Sequence, residues 1–258
     1  MTIFEKSLHE KIKIAIVTGA GSGIGRASSL ALLADGWTVI LVGRRKATLE
    51  KTAILAGEDS LRAIAIPTDI GKPDQVDALF EQINQRFGRL DFLLNNAGDN
   101  VPSMPLENVN YNDWQRVVQT NITGAFLCAQ GAYRCMKNQN PMGGRIVNTG
   151  APSAYVPRPD GTTYTVTKHA ITGLTKAISL DGRKYNVACG QIDPGNVEPP
   201  GEQSQFPAKQ ANGTLMVEPT MAMKNFTDTL LLMANMPLEA NIQSVFVMPT
   251  NMPFIGRG

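Results

Sequence analysis

The chain is poor in the residues that staple or metallate a fold. Its 258 residues include three cysteines and two histidines. Cys128, Cys135 and Cys189 form no CxxC pair, and a sparse, odd set does not build a disulfide framework. They are expected to be reduced, mostly buried thiols of a cytoplasmic protein. Cys128 and Cys135 share a helical packing stripe in this reading. Two histidines without a Cys/His cluster exclude a metal centre. Charge of one sign is scarce as well: 24 Lys and Arg stand against 22 Asp and Glu, a net of +2. Without a long basic block, nothing favours nucleic acid. No apolar run is long enough to span a membrane. The polar leader at 1–10 is too charged for a secretory signal. No repeat and no low-complexity linker appears, so residues 1–258 are read as one domain.

What is present is alternation. "IKIAIVT" (12–18), "TVILVG" (38–43), "LRAIAIP" (61–67), "LDFLLNN" (90–96), "GRIVNTG" (144–150), "VACGQID" (187–193) and "SVFVMP" (244–249) read as strands. They are almost continuously apolar, as strands buried on both faces of a parallel sheet must be. Helical patterns lie between them, at roughly 23–35, 46–56, 73–87, 111–138, 161–183 and 220–235. In "PDQVDALFEQINQRFG", Pro73 opens the helix, Val76, Leu79, Phe80, Ile83 and Phe87 form its apolar stripe, and Gly88 ends it. The pattern predicts an α/β protein: a doubly wound, Rossmann-type αβα sandwich on a seven-stranded parallel sheet. Residues 196–220, rich in Pro, Gly and Gln, break the pattern as an irregular substrate-loop insertion after a strand end, where this architecture binds ligands.

The first strand runs into "TGAGSGIGRA". Gly19, Gly23 and Gly25 fit GxxxGxG, not GxGxxG. Either spacing permits a tight turn that aims the next helix N-terminus at a pyrophosphate. At the end of the second strand, where an acidic residue would take a ribose 2′-hydroxyl, stand Arg44 and Arg45. Guanidinium forks bind phosphate bidentately, so the expected cofactor is NADP(H) with Arg44 and Arg45 at its 2′-phosphate. Further along, "YTVTKHA" stacks Tyr164 and Lys168 one helical turn apart.

Together with "TDI" at 68–70, "NNAG" at 95–98, Asn121 in "QTNITGAF" and "DPGNV" at 193–197, these motifs resemble the short-chain dehydrogenase/reductase family, in its NADP-preferring branch of about this chain length. The resemblance spans nearly the whole chain. It implies cofactor contacts from Gly19, Gly21, Ser22, Gly23, Ile24, Arg44, Arg45, Asp69, Ile70, Asn96, Ala97, Gly98, Tyr164, Lys168, Pro194, Gly195 and Val197. It implies Tyr164 as the proton donor to the substrate oxygen. Lys168 would bind the nicotinamide ribose and lower the phenol below its ordinary value near ~10. Asn121 would kink its helix and hold a water that links Lys168 to solvent. Family members are typically tetramers or dimers, so a homotetramer or homodimer is implied, with the long helices as contact faces.

The pattern breaks at the family's serine. Carrying the motif over puts Ala151 there, thirteen residues before Tyr164. Ser153, two residues on, could substitute after a loop shift at Pro152; on a strand, where residues two apart share a face, it could instead line the pocket without catalysing. Alternatively, the substrate needs less oxygen polarisation, as an imine does. A third alternative is a crippled variant, or a nucleotide-binding sensor or scaffold without turnover. A second departure is Glu198-Pro199-Pro200, where the family often has a Thr on the cofactor. The leading expectation is an NADPH-dependent reductase of ketones or aldehydes, reversible with the alcohol. Imine reduction follows as runner-up.

Overall fold

The computed structural model describes residues 12–198 and 206–255. The leader and part of the 196–220 insertion therefore lie outside the described residues. The first strand, β1 (Ile14–Thr18), is buried at every position. It sends Ile14 and Ile16 to one face and Ala15 and Val17 to the other. Helix α1 (Gly23–Ala34) returns the chain to β2 (Thr38–Gly43), and α2 (Lys46–Leu55) leads to β3 (Ala63–Pro67). Helix α3 (Pro73–Phe87) starts on its proline and stops at Gly88, whose φ of 67° is left-handed. It leads to β4 (Phe92–Asn95).

The expected single helix at 111–138 is three segments. Helix α4 (Tyr111–Val118) and helix α5 (Ala125–Asn138) flank a π-helical turn at Gln119–Gly124. Such turns insert an extra residue and occur at functional sites. This one carries Asn121. Strand β5 (Gly144–Thr149), helix α6 (Thr162–Asp181), β6 (Val187–Pro194), α7 (Met223–Asn235) and β9 (Ser244–Val247) complete the winding. The sheet has seven parallel strands in the order β3-β2-β1-β4-β5-β6-β9, the Rossmann-type sandwich predicted. The order reverses between β1 and β4. One face packs on α3 and α5 through Leu79, Phe80, Ile83, Cys128 and Met136, the other on α1 and α7 through Leu32, Leu33, Phe226 and Leu230. Cys128 and Cys189 are buried thiols, pushed up to about 12 by desolvation.

The insertion is more regular than its composition suggests. Two short strands, β7 (Phe206–Lys209) and β8 (Leu215–Glu218), form an antiparallel hairpin. Its turn is built at Asn212-Gly213, with Gly213 at φ 86° and Gln210 N donating to Thr214 O at 2.8 Å. Among the described residues, no helix is long and apolar enough to cross a membrane.

Strand β9, which flanks β6 beside the candidate site, is held by a buried arginine. Arg145 is 2% exposed. It donates to Asn241 Oδ1 at 2.7 Å and to the carbonyls of Met236, Pro237 and Ala240 at 3.0, 3.2 and 2.9 Å. Carbonyl dipoles replace a counter-ion, and burial pushes its pKa down. Arg145→Met keeps the apolar stem and strands those acceptors, so urea unfolding should show a loss of about 3 kcal/mol. A loss under ~1 kcal/mol would mean that water satisfies the loop and Arg145 does not set β9.

Candidate active site

The dinucleotide half is a cleft of about 340 Å³ at the β1/β4 reversal. Gly19, Gly21, Ser22, Gly23 and Ile24 line it from the β1–α1 turn, Arg44 and Arg45 from the end of β2, Asp69 and Ile70 after β3, and Asn96, Ala97 and Gly98 after β4. The glycines differ in their reasons. Gly19 has φ 70°, and a Cβ there would sit 3.0 Å from Ala97 Cα. A Cβ on Gly25 would run into the Gly19 carbonyl. Gly23, at φ 50°, has open space where its Cβ would be. The turn is thus closed on the protein side and open on the cleft side.

Ser22 is the N-cap of α1 and makes no side-chain cap hydrogen bond, and the first turn carries no acidic residue. A twelve-residue helix aims uncapped amides into the cleft. Both arginines are exposed at its rim. This donor set fits a dinucleotide diphosphate. Asp69 is held in place, accepting from Gly71 N at 3.0 Å. Asn96 serves the scaffold: its Nδ2 donates to Thr18 O at 3.0 Å, while Asn96 N and Ala97 N donate to Thr18 Oγ1 at 2.9 and 3.0 Å.

Asn121 joins this half to the other. Its Oδ1 accepts from Asp99 N at 2.7 Å, and its Nδ2 donates to Asp99 O at 2.9 Å and Thr167 Oγ1 at 3.2 Å. The amide therefore pins the loop after Gly98 to α6, one residue from Lys168, and its own donors are committed to protein groups. Tyr164, Lys168, Pro194, Gly195 and Val197 lie beyond the cleft lining, at the ends of β5 and β6. Lys168 Nζ donates to Thr149 O at 2.8 Å and lies 5.4 Å from the Tyr164 ring centroid. Gly195 N donates to Val247 O at 2.8 Å, and Val197 bridges to Met221.

The electrostatics differ from the expected pairing. Burial pushes the half-buried Tyr164 up to about 12, Arg158 pulls it down, and Asp193 pushes it up further. Burial lowers Lys168 itself to about 8, against an upward pull from Asp193.

Ala151 is buried, and Ser153 is not its strand-face partner. Strand β5 ends at Thr149, and Pro152–Ala154 form a 3-10 turn closed by Ala154 N to Ala151 O at 2.9 Å. At three residues per turn, a shift of two positions rotates a side chain by roughly 240°, so the same-face argument fails. Asp193 stands beneath this bend, fully buried. Its Oδ1 accepts from Gln191 Nε2 at 2.7 Å, its Oδ2 from Ser244 Oγ at 3.3 Å, and it also accepts from the Ala151 main chain. A Cβ at Gly150 would collide with its Oδ1, so Gly150 makes the room.

Sequence reasoning missed three charged residues here: Asp193, Arg158 and Glu218. Asp193 was visible inside "DPGNV", and the Asn212-Gly213 hairpin signal pointed to an ordered segment ending at Glu218. Glu218, with its side chain fully buried, pairs with Arg158. It also accepts from Asn196 Nδ2 at 3.1 Å and Gln210 Nε2 at 3.2 Å. Beyond the hairpin, the tail packs Met252 on the Pro194–Gly195 turn, where Asn196 N meets Met252 Sδ at 3.4 Å.

Comparison with known proteins places this geometry. The short chain dehydrogenase family model matches residues 13–210. A 3beta-hydroxysteroid dehydrogenase of Mediterraneibacter gnavus is 34% identical over 188 residues, 73% of this chain and 67% of that protein. An uncharacterized oxidoreductase of Staphylococcus aureus is 30% identical over 237 residues, 92% of this chain and 97% of that protein. The crystal structure of acetoin dehydrogenase from Enterobacter cloacae superposes with a TM-score of 0.80 at 29% identity, covering 93% of this chain and 95% of that one. The motifs, the sheet order and these relatives agree: the chain belongs to the short-chain dehydrogenase/reductase family, oxidoreductases of alcohols and carbonyl compounds.

Proposed function

We propose that the protein is an NADPH-dependent reductase of a ketone or aldehyde, reversible with the alcohol. One observation carries the reading: a phosphate-accepting cleft with arginines at its rim is tied by Asn121 to a helix bearing Tyr164 and Lys168. When bound, the cofactor supplies hydride from nicotinamide C4 to the carbonyl carbon. Arg44 and Arg45 hold the 2′-phosphate, and the α1 N-terminus holds the diphosphate. Tyr164 gives its phenolic proton to the substrate oxygen and recovers it in the reverse direction. Lys168 would hold the nicotinamide ribose hydroxyls. Ala151 offers the substrate oxygen no side-chain donor, which suits an imine as second substrate class. Assembly as a homodimer or homotetramer through α5 and α6 belongs to the same reading, supported by Phe126 and Val166 at 46% and 41% exposure. A monomeric mass by light scattering would remove that part.

Cofactor oxidation, followed by the absorbance of the reduced nicotinamide over a panel of ketones, aldehydes and cyclic imines, tests the reaction. Tyr164→Phe should lower kcat by roughly 10²–10⁴; an unchanged rate removes Tyr164 from the mechanism. Replacing Arg44 and Arg45 by serine should raise KM for NADPH about 10- to 100-fold and leave that for NADH nearly unchanged. A wild-type preference for NADH would defeat the cofactor assignment.

Lys168 is kept at a cost to stability. Its folded value near 8 lies below the ordinary 10.5. Between these values the unfolded chain binds more protons, so stability rises with pH across that window. Lys168→Met should therefore abolish turnover yet stabilise the protein at pH ~7 by on the order of 2 kcal/mol. The gain should shrink toward pH ~10.5 in urea unfolding. A destabilised variant at neutral pH would show that the lysine's contacts outweigh its desolvation.

A further inference from the structure

We propose that the β7–β8 hairpin is a strap across the substrate half of the site, and that the ion pair between Lys209 and Asp160 is its releasable end. Both are then positioning residues, which govern how substrate enters and product leaves. The inference rests on the reading of Tyr164 as the group that meets the substrate. It gives a task to two residues that lie outside the motifs.

Placement comes first. At the foot of the hairpin, Glu218 ends β8 and accepts from Asn196 Nδ2 at 3.1 Å. Asn196 stands between Gly195 and Val197, and its carbonyl accepts from Met221 N at 2.9 Å, just beyond the hairpin. Toward the turn, Lys209 Nζ donates to Asp160 Oδ2 at 2.7 Å. Asp160 directly precedes Gly161, the N-cap of α6, whose first turn carries Tyr164. Its carbonyl accepts from Met104 N at 3.0 Å, in the loop after Gly98. Its φ of 61° is left-handed, a conformation that Asp adopts more readily than most residues. The hairpin therefore reaches from the segment after β6, which bears Val197, to the residue that opens the Tyr164 helix. That path crosses the strand ends where this architecture binds ligands.

Magnitudes come second. Strands β7 and β8 form a sheet of their own, separate from the seven-stranded one. A lone two-stranded hairpin is marginally stable in water, so its anchors decide where it lies. The two anchors are unequal. The Glu218 side chain is fully buried, whereas the side chains of Lys209 and Asp160 are 44% and 23% exposed. An exposed pair shifts an equilibrium by roughly two- to fivefold and weakens with salt. A buried carboxylate costs far more to release from its partners. Opening therefore begins at Lys209, with the foot as pivot. A weak latch suits the task, because the site must open in every turnover and a tight one would trap product.

Hydrogen exchange by mass spectrometry and kinetics should be compared for wild type, D160N, K209M, the double variant and K209R. Asparagine keeps the tolerance for a left-handed backbone at 160 and removes the charge. Loss of the pair should speed exchange of the 206–218 peptide roughly two- to fivefold and leave β5 and β6 unchanged. D160N, K209M and the double variant should show one and the same effect, since all remove a single shared contact. K209R should match wild type. Raising salt from about 0.05 to 0.5 M should speed exchange in wild type and not in K209M. In turnover, KM for the ketone of the panel that is reduced fastest should rise by the same factor in K209M. The hydride step of a single turnover should stay unchanged. Additive effects of the two single variants, exchange in K209M equal to wild type, or a slowed hydride step with unaltered KM would overturn the proposal. Faster, salt-insensitive exchange in K209M of a chain that reduces no carbonyl or imine would uphold the strap and sink the reductase reading. Turnover with unaltered exchange would do the reverse.

Discussion

Charge held out of water at the ends of β5 and β6 is the constraint around which the substrate half of the site is built. An ammonium and a phenol meet there above a buried carboxylate, and a guanidinium is held in the loop between β5 and α6. Desolvation opposes each charged form, raising the phenol and carboxylate and lowering the amine. Each charge is therefore supported by groups contributed from elsewhere. Asp193 takes hydrogen bonds from Gln191, Ser244 and the Ala151 main chain. Lys168 leans on Thr149 O. Arg158 is matched by Glu218. Strand β9 matters because it brings Ser244, and the hairpin matters because it ends in Glu218.

The cofactor half obeys a different constraint, close approach of main chains. Gly19 backs onto Ala97, and Gly25 backs onto Gly19. Thr18 and Asn96 lock β1 to the loop after β4. Little charge is buried there, and the arginines stay at the rim. The two halves meet through Asn121, and the π-helical turn carries that residue. An uninterrupted α-helix would rotate the following residues by about 100° per position gained or lost. The extra residue therefore fixes which side chain meets Asp99 and Thr167.

This division explains what could be read from the residues alone. The strands, the glycine turn, Arg44 and Arg45, and the Tyr164–Lys168 spacing are local signals, each contained in a short window. Their positions in the fold follow from alternation and strand order. The meaning of Arg158, Asp193 and Glu218 is not local, because it arises when three separate segments converge. Strand β5 stops at Thr149 and Pro152 opens a turn, so Ser153 does not share a strand face with Ala151. The depressed phenol was expected from a cation one helical turn away. Burial is the opposing effect that a local spacing does not report, and it pushes the phenol up.

The same physics makes Ala151 part of a set. Gly150, Ala151 and Asp193 fit one another: the glycine clears space for the carboxylate, and the Ala151 main chain beside it favours the ionised form. Asp193 already has Gln191 and Ser244 as donors in this bend, and the methyl of Ala151 adds no polar atom that needs a partner there.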